Sequence, residues 1–235
     1  MTKPPPWIQT ITGSLSLPDL AGVQTLSVRQ SSAIWQVCEK ALAERMVSHD
    51  AHFFRRLEGQ QAPEYLWIGC SDSRVPANQI VDMDPGELFV HRNVANLAPP
   101  QDVNYLSVLQ FAVDVLRVKH IIVVGHYGCS GVSAAVDGKR RGLVDHWLHP
   151  IRELYHDNWS ELEAISDRRE RLDRLCELNV IRQVKNVASD VFVNEAWARG
   201  QELSVHGWVY SLSNGLVKDL DVTVSRAART NQSFP

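Results

Sequence analysis

Leu66-Trp67-Ile68-Gly69-Cys70-Ser71-Asp72-Ser73-Arg74 begins as an apolar run and breaks at Gly69 into small and polar residues. A thiol, a carboxylate and a guanidinium then follow at alternate positions. A short apolar run of this kind reads as a buried strand. Ile121-Ile122-Val123-Val124-Gly125 repeats the design and delivers His126-Tyr127-Gly128-Cys129. Between them, after the turn Asp84-Pro85-Gly86, the short strand Glu87-Leu88-Phe89-Val90-His91 runs into Arg92-Asn93-Val94-Ala95-Asn96, again polar at a strand's end. Such strands, alternating with helical stretches, predict right-handed β-α-β crossovers and a parallel sheet with its site at the carboxyl edge.

The flanking sequence fits that frame. Trp35, Cys38, Leu42, Met46, Phe53 and Leu57 recur at helical spacing, predicting one amphipathic helix or two with a break near Ser48. Val75-Pro76 ends the first motif, and Pro76 can open a short helix. Val103 to Leu116 places Leu106, Leu109, Val113 and Leu116 on one helical face, and Ser130-Gly131-Val132 starts another helix. Leu143 to Leu178 reads as charged helix; its mixed run Asp167-Arg168-Arg169-Glu170-Arg171 predicts a solvated face. Asn179 is read as the cap of a helix carrying Val180, Val184, Val187 and Val191, closed by Gly200. Leu203 to Ser211 alternates, with Val205 and Val209 on one face and His206, Trp208 and Tyr210 on the other. Asn214-Gly215 signals a hairpin, with Asp221-Val222-Thr223-Val224 returning. The expected fold class is α/β: a central, mostly parallel sheet with one antiparallel edge, flanked by helices and preceded by a helical arm. Residues 1–32, with Met1-Thr2-Lys3-Pro4-Pro5-Pro6, read as a flexible extension, and 33–235 as a single domain.

Composition narrows the function. A 235-residue chain that is 44% hydrophobic has enough apolar content for an ordinary core. A net charge of −3 argues against a nucleic-acid or anionic-membrane partner. No apolar run approaches transmembrane length. Of the four cysteines, Cys70 and Cys129 stand in strand-end motifs, whereas Cys38 and Cys176 lie in helix-like surroundings. That is no disulfide framework of a small secreted domain. The reading is a reducing compartment, the cytoplasm, with organellar import through the N-terminal extension as the alternative.

Zinc prefers thiolate and imidazole ligands in a tetrahedron, and catalytic sites leave one position open. Cys70, His126 and Cys129 supply three ligands, for one Zn2+ per chain. Asp72 could close the site as a fourth ligand and make it purely structural. Arg74 can instead hold Asp72 in a bidentate pair and keep it off the metal. The open position would then take water, and Asp72 would orient the resulting hydroxide. Two thiolates cancel the charge of the ion, so activity should grow towards alkaline pH. No Ser-His-Asp system, phosphate-binding glycine loop or dinucleotide fingerprint is visible.

These motifs closely resemble the β-class carbonic anhydrases. The matching blocks are Cys70–Arg74, Glu87–Asn96 and His126–Cys129, extended by His206-Gly207-Trp208-Val209-Tyr210. The resemblance implies reversible hydration of carbon dioxide to bicarbonate and a proton. It implies zinc on Cys70, His126 and Cys129, a catalytic dyad of Asp72 and Arg74, and dimers built by exchanged N-terminal helices that often pair into tetramers. The chain looks nearest the bicarbonate-regulated bacterial subgroup. That subgroup implies a non-catalytic bicarbonate pocket of Trp67, Arg92 and Tyr210 beside Val75, whose occupant favours Asp72 on the metal. Ser130 departs from the glycine common after the second cysteine. Hydrolysis of carbon disulfide or carbonyl sulfide is the related enzymatic reading, and a non-catalytic bicarbonate sensor with structural zinc is the reading from another class.

Overall fold

A computed structural model describes residues 28–59 and 61–226, with side chains from 39 onward. Residues 1–27 of the expected flexible extension, and the side chains of Trp35 and Cys38, lie outside the described residues, whereas the last five residues of that extension, 28–32, are helical. The chain divides into two units after Gly59. The first holds helices α1 (Val28–His49) and α2 (Phe53–Leu57). The break falls at Asp50–His52, close to the expected one. On α1, Leu42 is 49% and Val47 44% exposed, so part of its apolar complement is left facing outward.

The second unit is built on a sheet. Its elements begin with β1 (Tyr65–Cys70), α3 (Ala77–Ile80) and β2 (Leu88–Asn93). A 3-10 turn (Val94–Asn96) follows, then α4 (Val103–Gln110), which runs into a π-helical turn (Phe111–Leu116). Next come β3 (His120–His126), α5 (Ser130–Val136), α6 (Leu143–Trp147), α7 (His149–Asp157) and α8 (Trp159–Glu163). The chain continues with α9 (Arg168–Ser189), α10 (Val191–Ala198), β4 (Ser204–Tyr210), β5 (Val217–Asp219) and β6 (Val224–Ser225). Strand order is β2-β1-β3-β4-β5, with β6 also on β4. The first four strands are parallel, and β5 and β6 run antiparallel. The expected sheet with its antiparallel edge is therefore present.

Register assigns the faces. Trp67 pairs with Val90 and Ile122, and Ile122 with His206, so these four share one face. That face carries a cluster of Trp67, Val75, Leu88, Ile122 and Val124, with Trp208 and Tyr210 against it. The opposite face, with Leu66, Ile68, Ile121, Val123, Val205 and Val209, packs on Val180, Val184 and Val187 of α9. Close approach there needs missing side chains. A Cβ at Gly207 would lie 2.6 Å from Val222 Cγ2 and 3.0 Å from Val184 Cγ2.

Three local readings are corrected. Asn179 caps nothing: it sits inside α9, buried, with its amide donating to Ala95 O at 3.0 Å. The cap is Asp167, whose carboxylate accepts from Arg169 N and Glu170 N. Leu143 to Leu178 is four helices, one of them opened by Pro150 in its first turn. The return after Gly215 starts earlier than expected, with β5 at Val217, while Val224 of the expected stretch lies in β6 and pairs with Val205.

Candidate metal centre

Cys70 ends β1, His126 ends β3, and Cys129 lies just before α5 as its N-cap. Parallel pairing of β1 with β3 brings the two strand ends together. The result is one cluster: Cys70 Sγ, Cys129 Sγ and a nitrogen of His126 all lie within 4.8 Å of one another. All three residues are buried. The two sulfurs are 3.9 Å apart. Tetrahedral zinc at ordinary Zn–S lengths separates two sulfurs by about 3.8 Å. His126 Nδ1 lies 3.1 Å from Tyr127 O. A carbonyl only accepts, so Nδ1 carries the proton and Nε2 presents its lone pair. That buried Nε2 has no hydrogen-bond partner.

The thiols are electrostatically unequal. The Cys129 thiol and the backbone N–H groups of Asp72 and Ala95 stabilise a thiolate on Cys70 and hold its pKa far below the usual thiol range. Cys129 is pushed up because a second anion would face the first, and burial adds to it. A cation accepting both sulfurs removes that conflict. Donor types, spacing and the orphaned imidazole nitrogen therefore fit zinc.

The Ala95 N–H reaches the site through unusual backbone. Ala95 and Asn96 adopt φ of 66° and 48°, in the left-handed region that side chains disfavour. The segment is held from α9, where Asn179 binds Ala95 O and Gln183 Oε1 accepts from Ala98 N at 2.9 Å. Sequence reasoning saw the polar strand end but not this clamp.

Asp72 stands beside the cluster, with Oδ2 at 3.8 Å from His126 Nε2. Its Oδ1 accepts from Arg74 Nε at 2.9 Å and Arg74 N at 3.0 Å, and its Oδ2 from Arg74 Nη2 at 2.7 Å. These bonds from Arg74 hold the Asp72 carboxyl well below the usual carboxylate range, against the effect of burial. The carboxylate is thus ionised and bidentately held.

Arg92, from the edge strand β2, donates Nε to Cys70 O at 2.8 Å and Nη2 to Asp72 O at 2.5 Å. One guanidinium therefore grips the backbone at both a ligand and the carboxylate. Trp67, Val75 and Tyr210 meet in the cluster on the same face of the sheet as Arg92. Trp67 is 0% exposed, and its indole N–H has no partner. A groove of about 640 Å³ is lined by Ser71, which follows Cys70, by Asn93, which pairs with Cys70, and by Val94, Val144, His146 and Trp147. Ser130 is exposed at the start of α5, directly after the buried Cys129.

Comparison with known proteins agrees with this geometry. A family model described as carbonic anhydrase matches residues 65–217. A carbonic anhydrase of Emericella nidulans is 49% identical over 173 residues, covering 74% of this chain and 76% of its own. Among solved structures, one of the tetrameric β-carbonic anhydrases from Sordaria macrospora superposes with a TM-score of 0.79 at 39% identity, covering 83% of this chain and 98% of that one. The Coccomyxa β-carbonic anhydrase in complex with acetazolamide gives a TM-score of 0.78 at 37% identity, covering 86% and 97%.

Proposed function

The chain belongs to the β-class carbonic anhydrase family, and on that basis we propose that it hydrates carbon dioxide reversibly to bicarbonate and a proton. The observation that carries this reading is the convergence of Cys70, His126 and Cys129 beside an ionised, arginine-held Asp72. Cys70 and Cys129 would hold zinc through Sγ and His126 through Nε2, one ion per chain. When bound, zinc lowers the pKa of a coordinated water and so supplies a nucleophile near neutral pH. Asp72 offers Oδ2 as an acceptor for a hydroxyl proton at the site, and Arg74 keeps that oxygen off the metal. Arg74 Nη2 also reaches Gly128 O at 3.5 Å, which ties the carboxylate loop to the turn carrying Cys129. The adjoining groove is walled largely by Val94, Leu143, Val144 and Trp147, a surface suited to an uncharged gas.

Residues 33–235 then act as one domain per subunit. The Sordaria relatives are described as tetrameric, and the outward apolar positions of α1 support its use against a second copy. No described helix is long and apolar enough to cross a membrane. The cytoplasm remains the proposed location.

The test is stopped-flow hydration against pH on protein of measured zinc content, beside Asp72→Asn. We expect hydration that rises towards alkaline pH and falls at least tenfold in the variant, with zinc retained. Full zinc occupancy without hydration at any pH would overturn the assignment.

The partnerless indole of Trp67 favours a finer reading. On that reading the chain would work like the bicarbonate-regulated group, with bicarbonate on Trp67 Nε1, Arg92 and Tyr210, beside Val75. Arg92 already binds Cys70 O and Asp72 O, so an anion drawing on its donors competes with that grip. Loosening Asp72 towards the metal would then inhibit the enzyme. Trp67→Phe and Tyr210→Phe should each weaken bicarbonate inhibition while zinc content holds. Inhibition curves superposable on the unmodified enzyme would remove the pocket.

A further inference from the structure

Tyr127 lies between two ligands and belongs to neither motif's chemistry, yet each of its polar groups is engaged. Its carbonyl accepts from His126 Nδ1 at 3.1 Å, and its N–H donates to Tyr210 O at 3.0 Å. Its hydroxyl donates to Glu177 Oε1 at 2.6 Å. Glu177 projects from α9 and its side chain is only 12% exposed. It is fully partnered: Lys218 Nζ of β5 also reaches Oε1 at 2.7 Å, and Arg174 Nη1 reaches Oε2 at 2.9 Å. One helical turn earlier, Asp173 Oδ1 accepts from Gly128 N at 3.3 Å. Two carboxylates spaced four residues apart on α9 thus hold consecutive residues of the turn linking His126 to Cys129.

We propose that Glu177, acting through Tyr127, is a positioning residue for the metal: it fixes the plane of the Tyr127 peptide that orients His126, and so sets the zinc affinity of the site. This rests on the zinc reading above. The carbonyl that orients the imidazole belongs to the residue whose side chain Glu177 anchors. Releasing the phenol leaves that peptide held only by the longer Gly128 N–Asp173 Oδ1 contact of 3.3 Å, so the acceptor that keeps His126 Nε2 aimed at the two sulfurs is less firmly placed. Partners that orient metal-bound histidines are worth roughly 10–100-fold in metal affinity. The charge of Glu177 is offset by Lys218 and Arg174, so its effect on the ion is geometric.

The experiment is zinc affinity by chelator competition on the full chain at one pH, with Tyr127→Phe, Glu177→Gln and the distant control Lys185→Gln. The Co2+-substituted proteins supply spectra that report coordination geometry. The expected result is a roughly 10–100-fold weaker zinc affinity in Tyr127→Phe, with an altered cobalt spectrum and an apo melting temperature like that of the unmodified chain. Glu177→Gln should lie between, because its amide oxygen still accepts the phenol proton. If Glu177→Gln does not fold, Tyr127→Phe decides alone. Unchanged affinity and spectra in Tyr127→Phe would overturn the proposal while leaving the metal centre standing. An unmodified chain that takes up no zinc would overturn both.

Discussion

Gly125 precedes His126 on β3, and the sheet needs it bare. A Cβ there would sit 2.6 Å from Val180 Cγ2, with the next heavy atoms no closer than 3.7 Å. Carbon atoms pack at about 3.5–4.0 Å, so a Gly125→Ala methyl overlaps a single neighbour by about 1 Å. Val180 is 0% exposed within α9, and its branched side chain has one strongly preferred rotamer in a helix. The helix or the strand must therefore move. Overpacking of this kind costs about 1–3 kcal/mol, offset by about 0.5–1 kcal/mol from the reduced freedom of the unfolded chain. A net loss of about 1–2 kcal/mol lowers the melting temperature by about 2–8 °C in a domain of this size. Val180→Ala alone leaves a cavity and destabilises by about 2 kcal/mol. Together the new methyl occupies space the valine vacated, so the double variant should beat the sum of the singles by about 1–2 kcal/mol. Urea denaturation of all four proteins, at matched concentration and zinc content, measures the cycle. Additivity within about 0.5 kcal/mol would refute the close-contact argument.

Tyr105 is 1% exposed and its hydroxyl has no partner. Tyr105→Phe should be neutral or stabilising by up to about 1 kcal/mol, since it removes an unmet donor; a loss above about 1 kcal/mol in denaturation would reveal a polar partner instead. His206 lies 3.1 Å from His120 Nδ1 through its Nε2, and its Nδ1 is 3.0 Å from Thr223 Oγ1. Burial, and then His120, push its pKa down, with Asp219 opposing. The unfolded chain therefore takes up this proton first, and the contribution of His206 to stability declines as pH falls below about 6.5. The stability gap between the unmodified chain and His206→Gln should narrow between pH 7.5 and 5.5; a gap independent of pH would show that His206 does not titrate in this window.

The sequence carried the sheet and the ligands for a physical reason: short-range pattern suffices for both. Apolar runs that break into Cys70, Arg92 and His126 mark strand ends, and parallel pairing leaves those ends little choice but to converge. The period-2 alternation of Ser204–Tyr210 likewise survives as alternating burial. What failed depended on contacts distant in sequence. Asn179 has the local chemistry of a cap, yet its partner, Ala95 O, comes from 84 residues away and makes it a buried mid-helix residue. A local signal for the true start existed in Asp167-x-x-Glu170, which matches an N-terminal capping pattern. Glu177 gave no signal at all, because Tyr127 and Lys218 stand 50 and 41 residues away.

The register also explains how one centre can answer to both sides of the sheet. Cys70 falls in the alternation of Leu66 and Ile68, facing α9, whereas His126 falls with Ile122 and Val124, facing the Trp67 cluster. The ligands therefore come from opposite faces and meet only past the strand ends, where Cys129 closes the set. From the α9 side, Glu177 reaches the His126–Cys129 turn through Tyr127. From β2, Arg92 reaches Cys70 and Asp72 through their carbonyls. The positioning effect and the bicarbonate effect proposed above would thus act on different ligands through different elements. Tyr127→Phe should weaken zinc binding with bicarbonate sensitivity kept, and Tyr210→Phe should do the reverse. Both variants losing both properties together would show a single mobile unit in place of two independent grips.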